Sequence, residues 1–459
     1  IILDGSQNQS VLSGGVAAED QFNNFQLNKT GGIVTLAQSL LLNGNLTIST
    51  GTLSANGYDL TVGGSWSNGG SFVSGSGTVT LNTTLAGPVN VTAGGSAFNH
   101  LTINASAAGN IYRLGSLLDV NGNLTITRGV LESNGYVIQV GGNWSNGSSF
   151  TAGTGTVVFD GTGSQTITTG GTGAGKAFYH LTVNKSSGTA TLSGALEVGG
   201  NFSLSTGTLN TAANAMQVRG NWTNAGVWMN SGGTLTLNAL SGGPYTITNS
   251  GSGSFYNLVV NAVGVSYQLG SDLTVNNDLT ISAGTLASQS RTIRVGRNWT
   301  NNGSFVSGTG VVIFNGSGNQ TVTTGGTGAG KGFYDVQVES SGGAVTLSGG
   351  MDVNGSLRVV SGTFDLNNNS MTVYGNLENS GIMLRVGTVT LDGTTGGPYN
   401  INSGASSLGV VVVNGGGVSY QLSGDSRVNG NLTVSVGSRL DVNGRVLTFG
   451  DNAADGISV

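Results

Sequence analysis

Three carboxylates recur at one position of an internal sequence repeat and could carry acid–base chemistry. They are Asp119, Glu197 and Asp352. Hydrolysis of a glycosidic bond commonly uses two carboxyl groups about 5–9.5 Å apart. Asp119 and Glu197 are one repeat apart, which in a β-coil rising about 4.8 Å per coil, with three coils per repeat, separates them by roughly 14 Å. Because Thr274 and Arg427 fill the same position elsewhere, an exposed solvating role is favoured over catalysis.

The two histidines, His100 and His180, occur in F-N-H-L and F-Y-H-L, and Asn257 and Asp335 replace them in later repeats. Histidines one repeat apart cannot share a metal ion, and the chain has no cysteine to complete a site. We therefore expect solvent-facing strand residues at these positions. No serine, histidine and aspartate arrangement typical of a hydrolase is recognisable.

A glycine-rich segment, T-T-G-G-T-G-A-G-K, ends at Lys176 and returns to end at Lys331. Phosphate-binding loops combine such glycines with a following Ser or Thr and with the start of a helix. Here Ala177 follows the first lysine, and no helical pattern surrounds it. The sequence thus predicts no enzyme activity, no catalytic or metal-binding residue and no cofactor.

The elements that hold these residues are set by repetition. N-G-N-L-T-I at 43–48 returns at 121–126 and, in weaker forms, at 199–204, 276–281, 354–359 and 429–434. A nearly constant spacing of this kind is typical of a solenoid. The glycine-rich segment returns at twice that spacing, so two kinds of repeat alternate. We predict one continuous domain, 1–459, of six repeats of ~78 residues, or three double repeats of ~155.

Short stretches such as Leu46-Thr47-Ile48 alternate apolar and polar residues, and Gly and Asn clusters separate them. Such alternation predicts half-buried strands joined by sharp turns. We therefore expect an all-β fold: a single elongated parallel β-solenoid, right-handed by the usual chirality of parallel crossovers, with about 18 coils, a length of roughly 85 Å and essentially no helix. Equivalent apolar residues are expected to stack in columns. For the aromatic residues among them, packing in the core is favoured over binding of sugars or bases. The leucine column is Leu46, Leu124, Phe202, Leu279, Leu357 and Leu432; the tryptophan column is Trp66, Trp144, Trp222 and Trp299; the phenylalanine column is Phe22, Phe98, Phe178, Phe255 and Phe333.

The G-N-L-T-I and F-x-x-L-x-V-N motifs resemble the repeats of long bacterial surface proteins and adhesins with β-solenoid folds. The resemblance covers nearly the whole chain. It implies an extracellular, bacterial protein with a structural or adhesive role, and it implies no particular activity.

Composition limits the possible partners. Charged residues are 8% of the 459 residues, the net charge is −5, and no basic patch suited to nucleic acid is present. No stretch approaches the roughly 20 apolar residues of a membrane helix. The chain begins with Ile1, and we expect a mature product secreted after removal of a signal peptide, at the cell surface or outside the cell.

The two ends resemble the missing halves of one repeat. Residues 1–5 match 157–161, and 447–450 match 60–63, so 1–21 is an N-terminal half-repeat and 408–459 a truncated last repeat. Counted without a gap, Val459 falls opposite Phe150, and only the equivalents of 151–156 are missing. Both ends are apolar where isolated solenoids carry polar caps.

These features predict a structural subunit of an extracellular bacterial fibre that polymerises head to tail by continuing the solenoid. Its partner is itself, with cell-surface or matrix polysaccharide as a further possible partner. The alternative is an adhesin stalk, or a carbohydrate- or surface-binding module of a larger protein. The residues expected at the subunit interface are Ile1, Ile2, Leu3, Asp4, Leu447, Phe449, Ile457 and Val459.

Overall fold

The computed structural model describes residues 1–13, 21–450 and 455–459. Across these residues the chain is β-structure without helix. Its contacts define two compact units: Ile1–Gly233 with Ser250–Gly253, and Thr234–Asn249 with Ser254–Val459. In each unit the described strands pair in parallel, which confirms the predicted all-β parallel β-solenoid.

The strands of the first unit are short and follow one another at small intervals. They are β1 (Ile2–Gly5), β2 (Gln9–Val11), β3 (Phe25–Leu36), β4 (Leu40–Leu42), β5 (Leu46–Ser54), β6 (Leu60–Val62), β7 (Trp66–Asn68), β8 (Ser71–Val73), β9 (Thr78–Leu81), β10 (Val89–Thr92), β11 (His100–Asn104), β12 (Ile111–Leu114), β13 (Leu118–Val120), β14 (Leu124–Arg128), β15 (Val130–Glu132), β16 (Ile138–Val140), β17 (Trp144–Asn146), β18 (Ser149–Thr151), β19 (Thr156–Phe159), β20 (Gln165–Thr168), β21 (His180–Leu192), β22 (Leu196–Val198), β23 (Phe202–Asn210), β24 (Met216–Val218), β25 (Trp222–Asn224) and β26 (Val227–Met229).

The second unit has the same pattern of short strands. They are β27 (Thr234–Leu237), β28 (Tyr245–Asn249), β29 (Asn257–Leu269), β30 (Leu273–Val275), β31 (Leu279–Ala287), β32 (Ile293–Val295), β33 (Trp299–Asn301), β34 (Ser304–Val306), β35 (Val311–Phe314), β36 (Gln320–Thr323), β37 (Asp335–Leu347), β38 (Met351–Val353), β39 (Leu357–Asp365), β40 (Met371–Val373), β41 (Leu377–Asn379), β42 (Ile382–Leu384), β43 (Thr388–Leu391), β44 (Tyr399–Asn402), β45 (Ser407–Leu408), β46 (Val410–Val413), β47 (Ser419–Leu422), β48 (Ser426–Val428), β49 (Leu432–Val434), β50 (Arg439–Asp441), β51 (Leu447–Phe449) and β52 (Ile457–Ser458).

The turns of the solenoid are shorter than expected. Leu118 pairs with Ile138, and Ile138 pairs with Val157, so one turn runs from position 118 to 138 and the next from 138 to 157. The prediction of about 18 coils assumed three per repeat and therefore longer turns. The chain has about 21 turns, and each repeat contains between three and four.

The predicted columns of equivalent residues are wrong. Leu46 pairs with Phe25 and Trp66, whereas its equivalent Leu124 pairs with Leu101 and Trp144 on a different ladder of strands. The second unit behaves in the same way, since Leu279 and Leu357 also belong to separate ladders. A repeat that is not a whole number of turns brings its equivalent residues to different faces, so stacking joins non-equivalent positions.

Aromatic residues form clusters within the core rather than continuous columns. Trp144 contacts Phe150 and Phe178 with ring centroids 4.9 and 5.0 Å apart, and Trp299 contacts Phe305 and Phe333 at 4.9 and 5.1 Å. These contacts are edge-on or tilted, the arrangements that aromatic pairs prefer. Trp144 and Trp299 are fully buried, so their rings are closed to a sugar or a base.

Candidate functional site

The first turn of the solenoid presents an apolar edge. Strand β1 pairs with β3, Ile2 lying beside Gln26 and Leu3 beside Leu27. The equivalent interior strand, β19, is paired on both sides, with β16 and with β21. Among the described residues β1 has β3 as its one partner strand, and Ile2 is 66% exposed. This edge is therefore open for a further strand.

The last turn presents the opposite edge. Strand β51 pairs with β48, Leu447 lying beside Ser426 and Phe449 beside Val428. In the interior the equivalent strand β16 continues to β19. In the described part of the chain β51 pairs with β48 alone, and Leu447 and Phe449 are half-buried.

The register of the final strand differs from the ungapped alignment. Ile457 pairs with Leu432, which is the place that Trp144 takes beside Leu124. Val459 consequently lies at the position of Asn146, not Phe150, and is 94% exposed. The reason is a longer connection after Phe449, so the repeat positions missing between the two ends are those of 147–156.

The remaining predicted interface residues lie at the first edge. Ile1 is exposed, and its amino group donates a 2.7 Å hydrogen bond to the carbonyl oxygen of Asn24. Asp4 is exposed, and its carbonyl oxygen accepts a 3.2 Å hydrogen bond from the buried Nζ of Lys29. The structure thus brings Ile1, Ile2, Leu3 and Asp4 together on one turn.

The carboxylates do not form a catalytic pair. Asp119 belongs to the β13–β16 ladder and Glu197 to the β22–β24 ladder. Burial, and then the negative charge of Asp160, raise the pKa of the Asp119 carboxyl above its ordinary value. Glu197 accepts a 2.7 Å hydrogen bond from the Gly173 amide and forms a 2.7 Å ion pair with Arg219. Its carboxylate therefore fixes a loop rather than facing a second acid.

Each histidine supports the next turn of the backbone. Nδ1 of His100 accepts a 2.9 Å hydrogen bond from the Asn123 amide, and Nδ1 of His180 accepts one of 2.9 Å from the Asn201 amide. Both side chains are half-buried, more enclosed than the expected solvent-facing residues. Within the described residues no group of three or more His, Cys, Asp or Glu side chains could hold a metal ion.

The lysines of the glycine-rich loops donate hydrogen bonds to main-chain carbonyl oxygens of the neighbouring turn. Nζ of Lys176 donates to the carbonyl oxygens of Asn146 and Ser148 at 3.2 and 2.8 Å, and Lys331 repeats this with Asn301 and Gly303 at 3.1 and 2.7 Å. Gly170 has a φ of 75°, and a Cβ there would lie 2.4 Å from the Asn146 carbonyl oxygen. The lysine thus holds the loop against the neighbouring turn, with its donors directed to carbonyl groups and not to a phosphate.

Two equivalent grooves lie beside these loops, one in each unit. The first, of about 480 Å³, is bordered by Phe150, Gly173, Tyr179, Glu197 and Arg219. The second, of about 440 Å³, has Phe305, Gly328 and Asp352 at the positions of Phe150, Gly173 and Glu197, and it has Asn354 where the first has Gly199. Each groove contains one carboxylate from the recurring set, so neither has the paired acids of a glycosidase.

Sequence reasoning missed three inward-facing polar residues that organise the core. Lys185 is 1% exposed and Gln165 is 2% exposed, and Nζ of Lys185 donates to Oε1 of Gln165. The buried hydroxyl of Tyr112 receives a 2.6 Å hydrogen bond from the Thr83 amide, and burial raises its pKa. The recurrence of glutamine at 9, 165 and 320, at twice the repeat spacing, was the available signal.

No protein family model, curated protein or solved structure matches the chain. The β-solenoid repeat architecture agrees with the sequence resemblance, while the bacterial and extracellular origin stays a prediction. The described residues contain no helix long and apolar enough to cross a membrane.

Proposed function

We propose that the chain is a structural subunit of an extracellular fibre that grows head to tail by continuing the β-solenoid from one copy into the next. One observation carries the proposal. The open strand of the last turn and the open strand of the first turn correspond to β16 and β19, which are neighbours on one ladder and directly paired in the interior.

The interior pairing supplies a register for the contact between copies. Ile138, Gln139 and Val140 pair with Val157, Val158 and Phe159. In the proposed contact, the equivalent register pairs Leu447 with Ile1, Thr448 with Ile2 and Phe449 with Leu3 of a second copy. Addition of a strand to an exposed edge provides main-chain hydrogen bonds, and the alternate side chains provide specificity.

A second ladder offers a matching register. In the interior Trp144 pairs with Ile167 and Ser145 with Thr168. The equivalents at the ends are Ile457 beside Val11 and Ser458 beside Leu12. Leu12 is 71% exposed and Ile457 is 59% exposed. Two ladders therefore carry strands in position to continue across the contact.

Burial of apolar side chains gives the contact its driving force. Phe159, the interior equivalent of Leu3, is fully buried, whereas Leu3 is half-buried at the open edge. Complete burial of a leucine or phenylalanine side chain stabilises an assembly by about 1.5–3 kcal/mol. The first edge and the last edge are different surfaces, so their repeated association forms an open filament.

The experiment blocks each end separately. Leu3→Asp places a charge on the first edge and Phe449→Asp places one on the last edge. We expect the unmodified chain to form filaments in electron micrographs and each variant to remain monomeric. An equimolar mixture of the two variants should form dimers and stop there, because each retains one competent edge.

Val306→Asp is the matched control, since it replaces an apolar residue that is 50% exposed on an interior turn and should leave filaments unchanged. Circular dichroism checks that all three variants keep their β-structure. A chain that stays monomeric at high concentration, or end variants that still polymerise, would overturn the proposal. Persistent monomers would favour the alternative of an adhesin stalk or a carbohydrate- or surface-binding module, to which the two grooves would then contribute.

A further inference from the structure

One backbone carbonyl recurs through the repeats, and two different side chains bond to it in alternation. In the first repeat Oη of Tyr112 donates to the Val62 carbonyl oxygen at 3.2 Å. In the second, Nε2 of Gln165 donates to the Val140 carbonyl oxygen at 2.7 Å. In each case the donor comes from a later turn and fills the inside of a corner, where water is excluded.

The second unit shows the same alternation. Nε2 of Gln320 donates to the Val295 carbonyl oxygen at 2.9 Å, and Oη of Tyr420 donates at 2.8 Å to Tyr374, one residue beyond the equivalent position. Phe449 occupies this position in the sixth repeat. Because tyrosine is the donor in the fifth repeat, the alternation predicts a glutamine as the donor to the carbonyl of Phe449 in the sixth.

Gln9 is that glutamine by sequence position, and it is already oriented. Nζ of Lys29 donates to Oε1 of Gln9 at 2.7 Å, just as Lys185 donates to Gln165. Lys29 is 2% exposed, and it is also held by the carbonyl oxygens of Gln7 and Asp4 at 2.7 and 3.2 Å. The lysine therefore fixes which side of the Gln9 amide carries the oxygen.

The Nε2 of Gln9 lacks the hydrogen bond that Nε2 makes in the equivalent glutamines. Gln165 and Gln320 use Nε2 to bond the preceding turn, and both are buried. Gln9 is half-buried, and in the part of the chain that the structure describes its Nε2 makes no hydrogen bond. Within the described residues no earlier turn supplies the acceptor that Gln165 and Gln320 have, and the last turn of a second copy would present one at the equivalent position.

We infer that Gln9, oriented by the buried Lys29, donates a hydrogen bond to the Phe449 main-chain carbonyl of a second copy of the chain. This inference rests on the proposed head-to-tail fibre and assigns the residue that selects its register. A contact shifted by one residue leaves a buried amide and a buried carbonyl without partners, which disfavours it strongly. The Lys29–Gln9 pair thus distinguishes the correct partner edge from any other exposed strand.

The test isolates one junction and changes only the donor. A chain carrying Phe449→Asp, with its first edge intact, is mixed with a chain carrying Leu3→Asp, with its last edge intact, and the dissociation constant is measured by analytical ultracentrifugation. Gln9→Glu is then added to the first chain. It keeps the size of the side chain and an acceptor for Lys29 but removes both N–H donors. We expect the dimer to weaken by roughly tenfold or more, the usual consequence of leaving a buried polar group without its hydrogen bond.

Gln165→Glu in the same chain is the matched control, because it removes the equivalent bond inside one copy and should leave dimer affinity unchanged. Gln9→Leu is a second variant that also lacks the donor and introduces no charge, so it should weaken the dimer as well. Dimers of unchanged affinity with either Gln9 variant would overturn the inference while leaving the fibre intact. Absence of dimers between the chains with unmodified Gln9 would overturn the fibre and the inference together.

Discussion

Polar side chains at the corners satisfy backbone amides of the following turn. At one repeat position, Oδ1 of Asn24 accepts from the Asn45 amide at 2.8 Å, Nδ1 of His180 accepts from the Asn201 amide at 2.9 Å, and Oδ1 of Asn257 accepts from the Asp278 amide at 3.2 Å. These amides lie at exposed or half-buried corners, where one hydrogen bond stabilises the turn by about 0.5–1.5 kcal/mol. The sequence shows that histidine and asparagine share this position, and the structure supplies the reason: both present an acceptor to the same kind of amide.

His180 makes one corner sensitive to acid. Burial lowers the pKa of His180 below its ordinary value, because the charged ring loses hydration and a protonated Nδ1 can no longer accept the Asn201 amide. The stabilisation is complete above the pKa of an unfolded histidine and is lost as the pH falls through the lower folded value. Hydrogen exchange at the Asn201 amide should therefore accelerate between about pH 7 and pH 5, beyond the intrinsic pH dependence.

His180→Asn is the control for this corner, since asparagine keeps an acceptor at every pH in that range. In that variant the protection of Asn201, corrected for intrinsic exchange, should be nearly constant. Equal acid sensitivity in the variant and in the unmodified chain would show that His180 is not the group responsible.

At the scale of the strands, the sequence patterns predicted where strands form, but they did not predict which strands pair with each other. Alternation in Leu124-Thr125-Ile126 indicated a strand, and the structure has one there with its apolar residues buried. Its neighbours, Leu101 and Trp144, could not be predicted because turn length depends on how many residues each corner loop contains. The repeat length was identified correctly, but the predicted columns of equivalent residues were wrong. The reason is that three whole turns per repeat were assumed, whereas the structure has between three and four.

The glycine-rich loop between β20 and β21 depends on its lysine. Lys176→Met keeps most of the side-chain volume but removes the hydrogen bonds to Asn146 and Ser148, and charge-assisted bonds of this kind contribute about 1.5–3 kcal/mol each. We expect amide hydrogen exchange of residues 169–177 to increase at least tenfold. A local readout is preferable because repeat arrays do not unfold in a single step.

The equivalent loop of the same molecule is the internal reference. Residues 324–332, held by Lys331, should exchange as in the unmodified chain. Unchanged protection of 169–177 in the variant would mean that the loop is held by other contacts, such as the hydrogen bond from the Gly173 amide to Glu197.

At the scale of the whole molecule, the central proposal is that the open strand of the last turn pairs with the open strand of the first turn of another copy. The sequence was sufficient to identify Ile2 and Phe449 as interface candidates, because their interior equivalents are recognisable from the repeat. It could not suggest the role proposed for Gln9, because that role depends on a hydrogen bond from a buried lysine of another turn. It also misplaced Val459, because the length of the last connection is not encoded in the repeat spacing.

The chain contains no cysteine, which allows the register between copies to be tested by disulfide formation. In the proposed contact Thr448 lies beside Ile2 of the next copy, as Gln139 pairs with Val158 in the interior. Adjacent parallel strands are about 4.8 Å apart, within the range of Cα separations that a disulfide spans. Gln139→Cys with Val158→Cys is the positive control and should close within one chain.

The decisive measurement is a non-reducing gel of the chain carrying Ile2→Cys and Thr448→Cys after mild oxidation. If copies join head to tail, oxidation gives a ladder of covalent multimers, and reduction returns all of them to the single chain. Ile2→Cys with Arg427→Cys, one turn further from the edge because Arg427 pairs with Thr448, should give no ladder. Failure of the first pair to cross-link while the interior pair closes, or equal ladders from both end pairs, would contradict continuation of the solenoid between copies.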